Sequence, residues 1–251
     1  MVTLKQFLET AVLPVGKTMY VWGGGWNKAD TGGGRGARHI GVWEKWIDFA
    51  GCQTPEYDYH DYLYETELGL DCSGYVGWCM YSVFRDCGKK EFVYPSGIIG
   101  KQYACMGYGS FTESGRVNDY KPGDIMSRKG HVWICVGACQ DNSVLILHAS
   151  PPGVQLNGTV SPEGRRDSQA IGLAERYMKI CYPHWYERYP AVSKGKDYLS
   201  DYHRMRWYLN EEKGCMSDPE HIRGLSVEKI LGMLFGPIDE VEGNEVYCGK
   251  N

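Results

Sequence analysis

The chain has 251 residues, of which 43% are hydrophobic and 23% charged, enough to bury a large core as one domain or as a domain with an appendage. A formal net charge of −4 lacks the basic surplus of a dedicated nucleic-acid binder and offers no attraction to anionic surfaces. No run reaches the roughly 18–20 apolar residues of a membrane span, and Met1–Tyr20 lacks the apolar core of a signal peptide.

In chain order, Thr3-Leu4-Lys5-Gln6 reads as a capping box. Leu4, Phe7, Leu8, Ala11 and Val12 then give one apolar face to a helix that ends before Pro14. Gly16-Lys17-Thr18 echoes the end of a phosphate-binding loop, but Ala11 stands where that motif needs glycine and no strand precedes it. Tyr20-Val21-Trp22-Gly23-Gly24-Gly25 follows, and a second glycine cluster over 32–36 predicts a loop. Trp43, Trp46, Ile47 and Ala50 have helical spacing, and 53–68 is acidic and tyrosine-rich, read as a solvated face with aromatic packing. The 33 Gly, 19 Tyr and 8 Trp suit a loop-rich fold with aromatic-lined grooves.

Asp71-Cys72-Ser73-Gly74 opens the next helix. Val76, Cys79, Met80, Val83 and Phe84 recur at i, i+3, i+4, i+7 and i+8, which predicts a helix to about Arg85 with one buried face. Asp71 is a natural N-cap, so Cys72 takes the first helical position. There the unpaired N–H groups and the helix dipole favour a thiolate, predicting a lowered thiol pKa and a nucleophile. Gly74 is expected to leave room for a substrate. The other nine of the 10 cysteines are scattered without a CxxC pair, which argues against a zinc ribbon and for most of them as small buried hydrophobes.

Residues 87–120 show no clear periodicity. Lys121-Pro122-Gly123-Asp124 is a turn that opens a β region. His131–Ala138 and Ser143–Ala149 are apolar and β-branched, joined by a short polar connection, and predict a hairpin. Gly153–Leu156 and Met178–Tyr182 are expected to add strands. Asp201–Asn210 is ambiguous, and Ser226–Phe235 reads as a short helix capped by serine with Gly236 beyond it. The chain is read as a domain over 1–190, carrying an insertion over 26–70, with 191–251 as an extension packed on it.

A cysteine nucleophile needs a histidine base, and the base needs an orienting partner. A hairpin centred between residues 139 and 140 sets His131 opposite His148, on one face of the sheet. A register two residues away still leaves both imidazoles on that face, as diagonal neighbours. The pattern therefore supplies a His–His pair in which His148 can fix the tautomer of His131. His131, Cys135 and Cys139 also alternate along one strand, a poor spacing for metal ligation.

The ordered set YVWGG (20–24), DCSG (71–74), KPGDI (121–125), GHVWI (130–134) and ILHAS (146–150) resembles the NlpC-type cell-wall cysteine peptidases of bacteria. The motifs span about half the chain, in the family's order. The resemblance implies an α+β, papain-like fold: a central antiparallel sheet packed against the cysteine helix, here with a helical C-terminal extension. It implies Cys72 as nucleophile, His131 as general base and His148 as orienting residue. Tyr20 would shape the oxyanion and substrate pocket, and Asp71 and Ser73 would line the groove. The implied reaction is hydrolysis of an amide in peptidoglycan stem peptides, typically γ-D-glutamyl-diaminopimelate or -lysine, through a Cys72 thioester, with no metal or organic cofactor. Muropeptides are the expected partners, with no nucleic acid and no membrane span.

The chain departs from the family pattern in its long segment 26–70, expected to wall or lid the groove, and in showing no signal peptide. A phage-borne lysin, an extracellular enzyme or a cytoplasmic muropeptide-processing enzyme each fit that. Alternatives are an amidase or acyltransferase on another amide, and a non-catalytic wall-binding or phage structural module.

Overall fold

The computed structural model describes residues 1–26, 39–85, 91–209, 214–236 and 238; the glycine cluster over 32–36, Cys87 and Cys248 lie outside them. The elements run β1 (Val2–Thr3), α1 (Leu4–Val12), β2 (Met19–Tyr20), α2 (Glu44–Gly51), β3 (Gly69–Leu70), α3 (Cys72–Phe84), α4 (Ile99–Cys105), β4 (Gly109–Thr112), β5 (Ile125–Arg128), β6 (His131–Ala138), β7 (Val144–Ser150), β8 (Gly153–Thr159), α5 (Gln169–Cys181), α6 (Pro183–Arg188), β9 (Ser193–Lys194), α7 (Asp197–Ser200), β10 (His203–Trp207), β11 (Met216–Ser217) and α8 (Val227–Phe235).

The protein is α+β, built on a curled, mixed sheet in the order β3-β2-β8-β7-β6-β5-β10-β4. Its centre, from β8 to β4, is antiparallel; β2 with β3, and β8 with β9, are parallel. Both β2 and β9 pair with β8, at its Gly153 and Thr159 ends respectively.

Strand alternation separates two apolar faces. One carries Val132, Ile134, Leu145, Leu147, Val154 and Leu156 into the main core, against Phe7 and Leu8 of α1, Val76 and Cys79 of α3, and Ile230 and Leu234 of α8. The other carries Met126, Trp133, Cys135, Val144 and Ile146 into a smaller cluster covered by Tyr120, Tyr198, Leu199 and Tyr202. Helix α1 forms where expected, with both arms of its capping box made: Gln6 N donates to Thr3 Oγ1 at 3.1 Å and Thr3 N to Gln6 Oε1 at 2.9 Å.

Two expected elements differ. Met178–Tyr182 is not a strand but the last turn of α5 and the residue that follows it, a helix capped upstream by Ser168. The ambiguous Asp201–Asn210 contains β10, which inserts between β5 and β4, so the segment after residue 190 is woven into the sheet. The arginines that obscured this strand are neutralised from elsewhere. Arg206 donates to Asp124 Oδ2 at 2.6 Å and to Asp119 Oδ2 at 2.9 Å, and Arg204 pairs with Asp119. No helix among the described residues is long and apolar enough to cross a membrane.

The segment before α3 is tied to the body at several points. Trp46 of α2 is fully buried, edge-on to Trp78 with ring centroids 6.0 Å apart. Arg188 Nη1 donates to the carbonyls of Ala50 and Gln53 at 2.9 and 2.7 Å, and Tyr189 Oη to Thr54 O at 2.6 Å.

Candidate active site

Cys72 begins α3, with Asp71 as the N-cap accepting from Gly74 N at 2.7 Å. The Asp71 carboxylate is buried, and both oxygens are engaged internally. Oδ1 also accepts from Ser73 Oγ at 2.8 Å, while Oδ2 accepts from Trp26 Nε1 at 2.9 Å and Gly23 N at 3.2 Å. Ser73 Oγ lies 3.2 Å from the same indole N–H. Asp71 and Ser73 thus lash the 23–26 loop to the start of α3. Gly74 serves the same junction: a Cβ there would overlap the Gly24 carbonyl oxygen and crowd Gly25 Cα. The expected space for a substrate at Gly74 is instead filled by the glycine loop, whose own missing side chains permit the approach.

Strands β5 and β6 join through Lys129-Gly130, with Gly130 at φ 93° in the left-handed region. This turn sets His131 as the first residue of β6 and brings Gly130 O to 4.0 Å from Cys72 Sγ. The β6–β7 register pairs Ile134 with Leu147, so His131 and His148 are diagonal neighbours on one face, two positions from direct opposition. The bulge between Cys135 and Gly137 lies on the turn side of both histidines and leaves their parity intact. His131 Nε2 and His148 Nδ1 are 2.8 Å apart.

The series continues beyond the pair. His148 Nε2 lies 2.8 Å from Asn157 Oδ1, and Asn157 Nδ2 donates to Ala191 O at 3.3 Å. The backbone carbonyl can only accept, so the Asn157 amide nitrogen must face it and the amide oxygen must face His148. His148 therefore carries its proton on Nε2 and accepts at Nδ1 from His131 Nε2–H. That leaves the lone pair of His131 on Nδ1, as a base needs. Asn157 was not singled out in the sequence, although Gln155 and Asn157 alternate with Val154 and Leu156 and so mark a polar stripe on β8.

Burial dominates the electrostatics. The Cys72 thiol is pushed up to about 12 by desolvation and then by the Asp71 carboxylate, against the N–H groups of Val132, Ser73 and Cys72 itself. The sequence argument predicted a lowered value; the helix terminus acts in that direction, and desolvation outweighs it. His131 is lowered to about 3 by desolvation, then by Lys194 and Arg128. His148, fully buried, is lowered by the same desolvation and by Lys194, with the Asn157 hydrogen bond opposing. The free site holds a neutral thiol and a neutral imidazole.

Around this core stand aromatic walls. Tyr20 ends β2, is buried, and meets Tyr59 edge-on with centroids 5.2 Å apart. Desolvation and the nearby Cys72 push its hydroxyl pKa up. Tyr57 Oη donates to Tyr20 O at 2.7 Å, so the long segment before α3 packs directly on this tyrosine. Tyr198 of α7 lies edge-on to both imidazoles, at 5.8 Å from His131 and 6.0 Å from His148. Cys72, His131, His148 and Tyr20 are therefore brought together, while Asp71 and Ser73 brace them. Among the described residues no group of three or more His, Cys, Asp or Glu side chains is placed to hold a metal ion.

What fold and site define together is an α+β protein with a buried thiol at a helix start beside a polarised His–His–Asn series. Comparison with protein-family models, curated proteins and solved structures gave no match.

Proposed function

We propose that the protein is a cysteine peptidase with a papain-like arrangement of nucleophile helix and sheet, acting on amide bonds of peptidoglycan stem peptides. The observation that carries this reading is the directed series Ala191 O, Asn157, His148, His131, which ends in an imidazole lone pair on the residue after Gly130, whose carbonyl oxygen lies 4.0 Å from Cys72 Sγ. The five ordered motifs supply the substrate class.

In the reaction, His131 Nδ1 accepts the thiol proton as Cys72 Sγ attacks the amide carbonyl. The resulting imidazolium keeps its Nε2–H on His148. The free pair is neutral, so proton transfer and attack proceed together, with charge delivered to the oxyanion instead of resting on a free thiolate. The Cys72 backbone N–H is one oxyanion donor, with the Tyr20 hydroxyl at the same pocket. His131 then protonates the departing amine, leaving a Cys72 thioester. Water, deprotonated by His131, hydrolyses the thioester and returns the proton to the sulfur. Every proton is carried by Cys72, His131, the amine or water.

The test incubates purified muropeptides of several stem chemistries with the protein and with Cys72→Ala, reading products by mass spectrometry. New cleaved peptides with the wild type alone support the proposal. Identical product sets for both proteins on every substrate overturn it.

A further inference from the structure

Lys194 ends β9 in register with Thr159 of β8. Registered partners share a face, and Thr159 lies two residues from Asn157, so Lys194 projects from the sheet face that carries Asn157, His148 and His131. Its ammonium is the charge that acts most strongly on each imidazole. It is half-buried, and that partial desolvation lowers its pKa to about 8 and leaves it mostly cationic at neutral pH.

This cation makes no hydrogen bond or ion pair with any described residue. The acid that acts on it, Asp197, is held by Arg128 at 2.9 Å. Arg128, the other cation acting on His131, is satisfied by Asp197 and by Asp201 at 3.2 Å. Of two cations beside the base, one is neutralised and one is left open. An ammonium partly withdrawn from water without a counter-ion is unfavourable, and an arriving anion would relieve that cost.

We propose that Lys194 is a specificity residue that receives a carboxylate of the substrate next to the scissile amide, so that acidic stem peptides are processed in preference to their amidated forms. This rests on the peptidase reading above and names its substrate charge. Docking the carboxylate has a second effect. It neutralises the cation that opposes protonation of His131, so the substrate itself eases formation of the imidazolium. The residue could not be found in the sequence, because β9 reaches the histidines only through its parallel pairing with β8.

The test uses stem peptides synthesised in pairs, with each carboxylate flanking the scissile amide either free or as the carboxamide. Cleavage is followed for wild type, Lys194→Met and Lys194→Arg. Binding of the same peptides to Cys72→Ala and to Cys72→Ala/Lys194→Met is measured by calorimetry. The expected result is a preference for one free carboxylate of about 10–100-fold, the range of a hydrogen bond between charged groups. The preference should be lost in Lys194→Met and largely kept in Lys194→Arg. Equal treatment of acid and amide by the wild type, or a preference that survives Lys194→Met, overturns the proposal. A loss in Lys194→Met that is uniform across all peptides also overturns it. If no peptide is cleaved but Cys72→Ala binds the acid preferentially through Lys194, the peptidase reading fails and the carboxylate site stands.

Discussion

Asn157 holds His148 in one tautomer, because its amide oxygen meets His148 Nε2 at 2.8 Å while its nitrogen is committed to a backbone carbonyl. Replacing Asn157 by leucine removes the acceptor while keeping the volume. His148 is then free to place its proton on Nδ1, toward His131, and the series loses its direction. Histidine nitrogen shifts measured by NMR should change from a single Nε2–H tautomer to a mixture. Turnover in the proposed reaction should fall at least about tenfold, with His148→Ala falling further, toward the 10²–10⁴-fold range of general-base catalysis. An unchanged tautomer in Asn157→Leu contradicts the assignment.

The thiol's behaviour with pH separates the two forces acting on it. With Cys72 pushed up to about 12, its alkylation by iodoacetamide should keep rising through pH 9 and 10 without a plateau. Cys52 and Cys105 are exposed and will also be alkylated, so the rate must be read on the Cys72 peptide by mass spectrometry. A plateau below about pH 8.5, the free-cysteine value, means that the helix terminus and His131 outweigh burial.

The two histidines also make a prediction for stability. Both are lowered in the folded state, His131 to about 3, whereas an unfolded histidine titrates near 6.5. Above about pH 6.5 both states are neutral at these sites and the pair has no pH-dependent effect. As pH falls below that, the unfolded chain takes up protons the native state refuses, so stability is lost progressively toward pH 3. Lys194, lowered to about 8, is protonated in both states throughout this window and adds no slope. Guanidinium unfolding midpoints should therefore fall between pH 7 and pH 5, and the fall should be smaller in a His131→Gln/His148→Gln variant. Equal slopes would mean the imidazoles are solvated.

Gly74→Ala tests the seam between the glycine loop and α3. The added methyl overlaps backbone atoms of Gly24 and Gly25, not the movable end of a side chain. Overpacking of this kind costs about 1–3 kcal/mol and at times more. The unfolding midpoint should drop accordingly, whereas Gly172→Ala, whose Cβ meets nothing within 4 Å, should leave stability unchanged or slightly raised. A Gly74→Ala protein as stable as the wild type would show that the loop yields.

How far the sequence reached depended on how local each signal was. The cap at Asp71 and the start of α3 are written in a few adjacent residues and formed where expected. The histidine pair was readable because side chains alternate with period two, so a register error of two changes the partner but not the face. Met178–Tyr182 misled because a five-residue, mostly apolar window was cut from a helix whose cap lies upstream at Ser168. Strand β10 was obscured by Arg204 and Arg206, whose neutralising acids lie at 119 and 124. Thiol acidity was misjudged for a related reason: the helix terminus is visible in sequence, and burial by distant segments is not. Lys194 and Tyr198 reach the site only through the completed sheet.

The insertion of β10 between β5 and β4 makes the sheet depend on a distant part of the chain. A chain emerging from its N-terminus can complete α3 and the β5–β8 meander while β4 still lacks its neighbour. Residues 203–207 join β5 to β4 and make the sheet continuous, and α7 with Tyr198 lies against the histidines just upstream of them. A nascent or truncated chain ending before Lys194 would hold the thiol and both imidazoles without their full surroundings. The surroundings of the site therefore depend on residues from the far end of the chain as well as on the motifs that carry the thiol and the imidazoles.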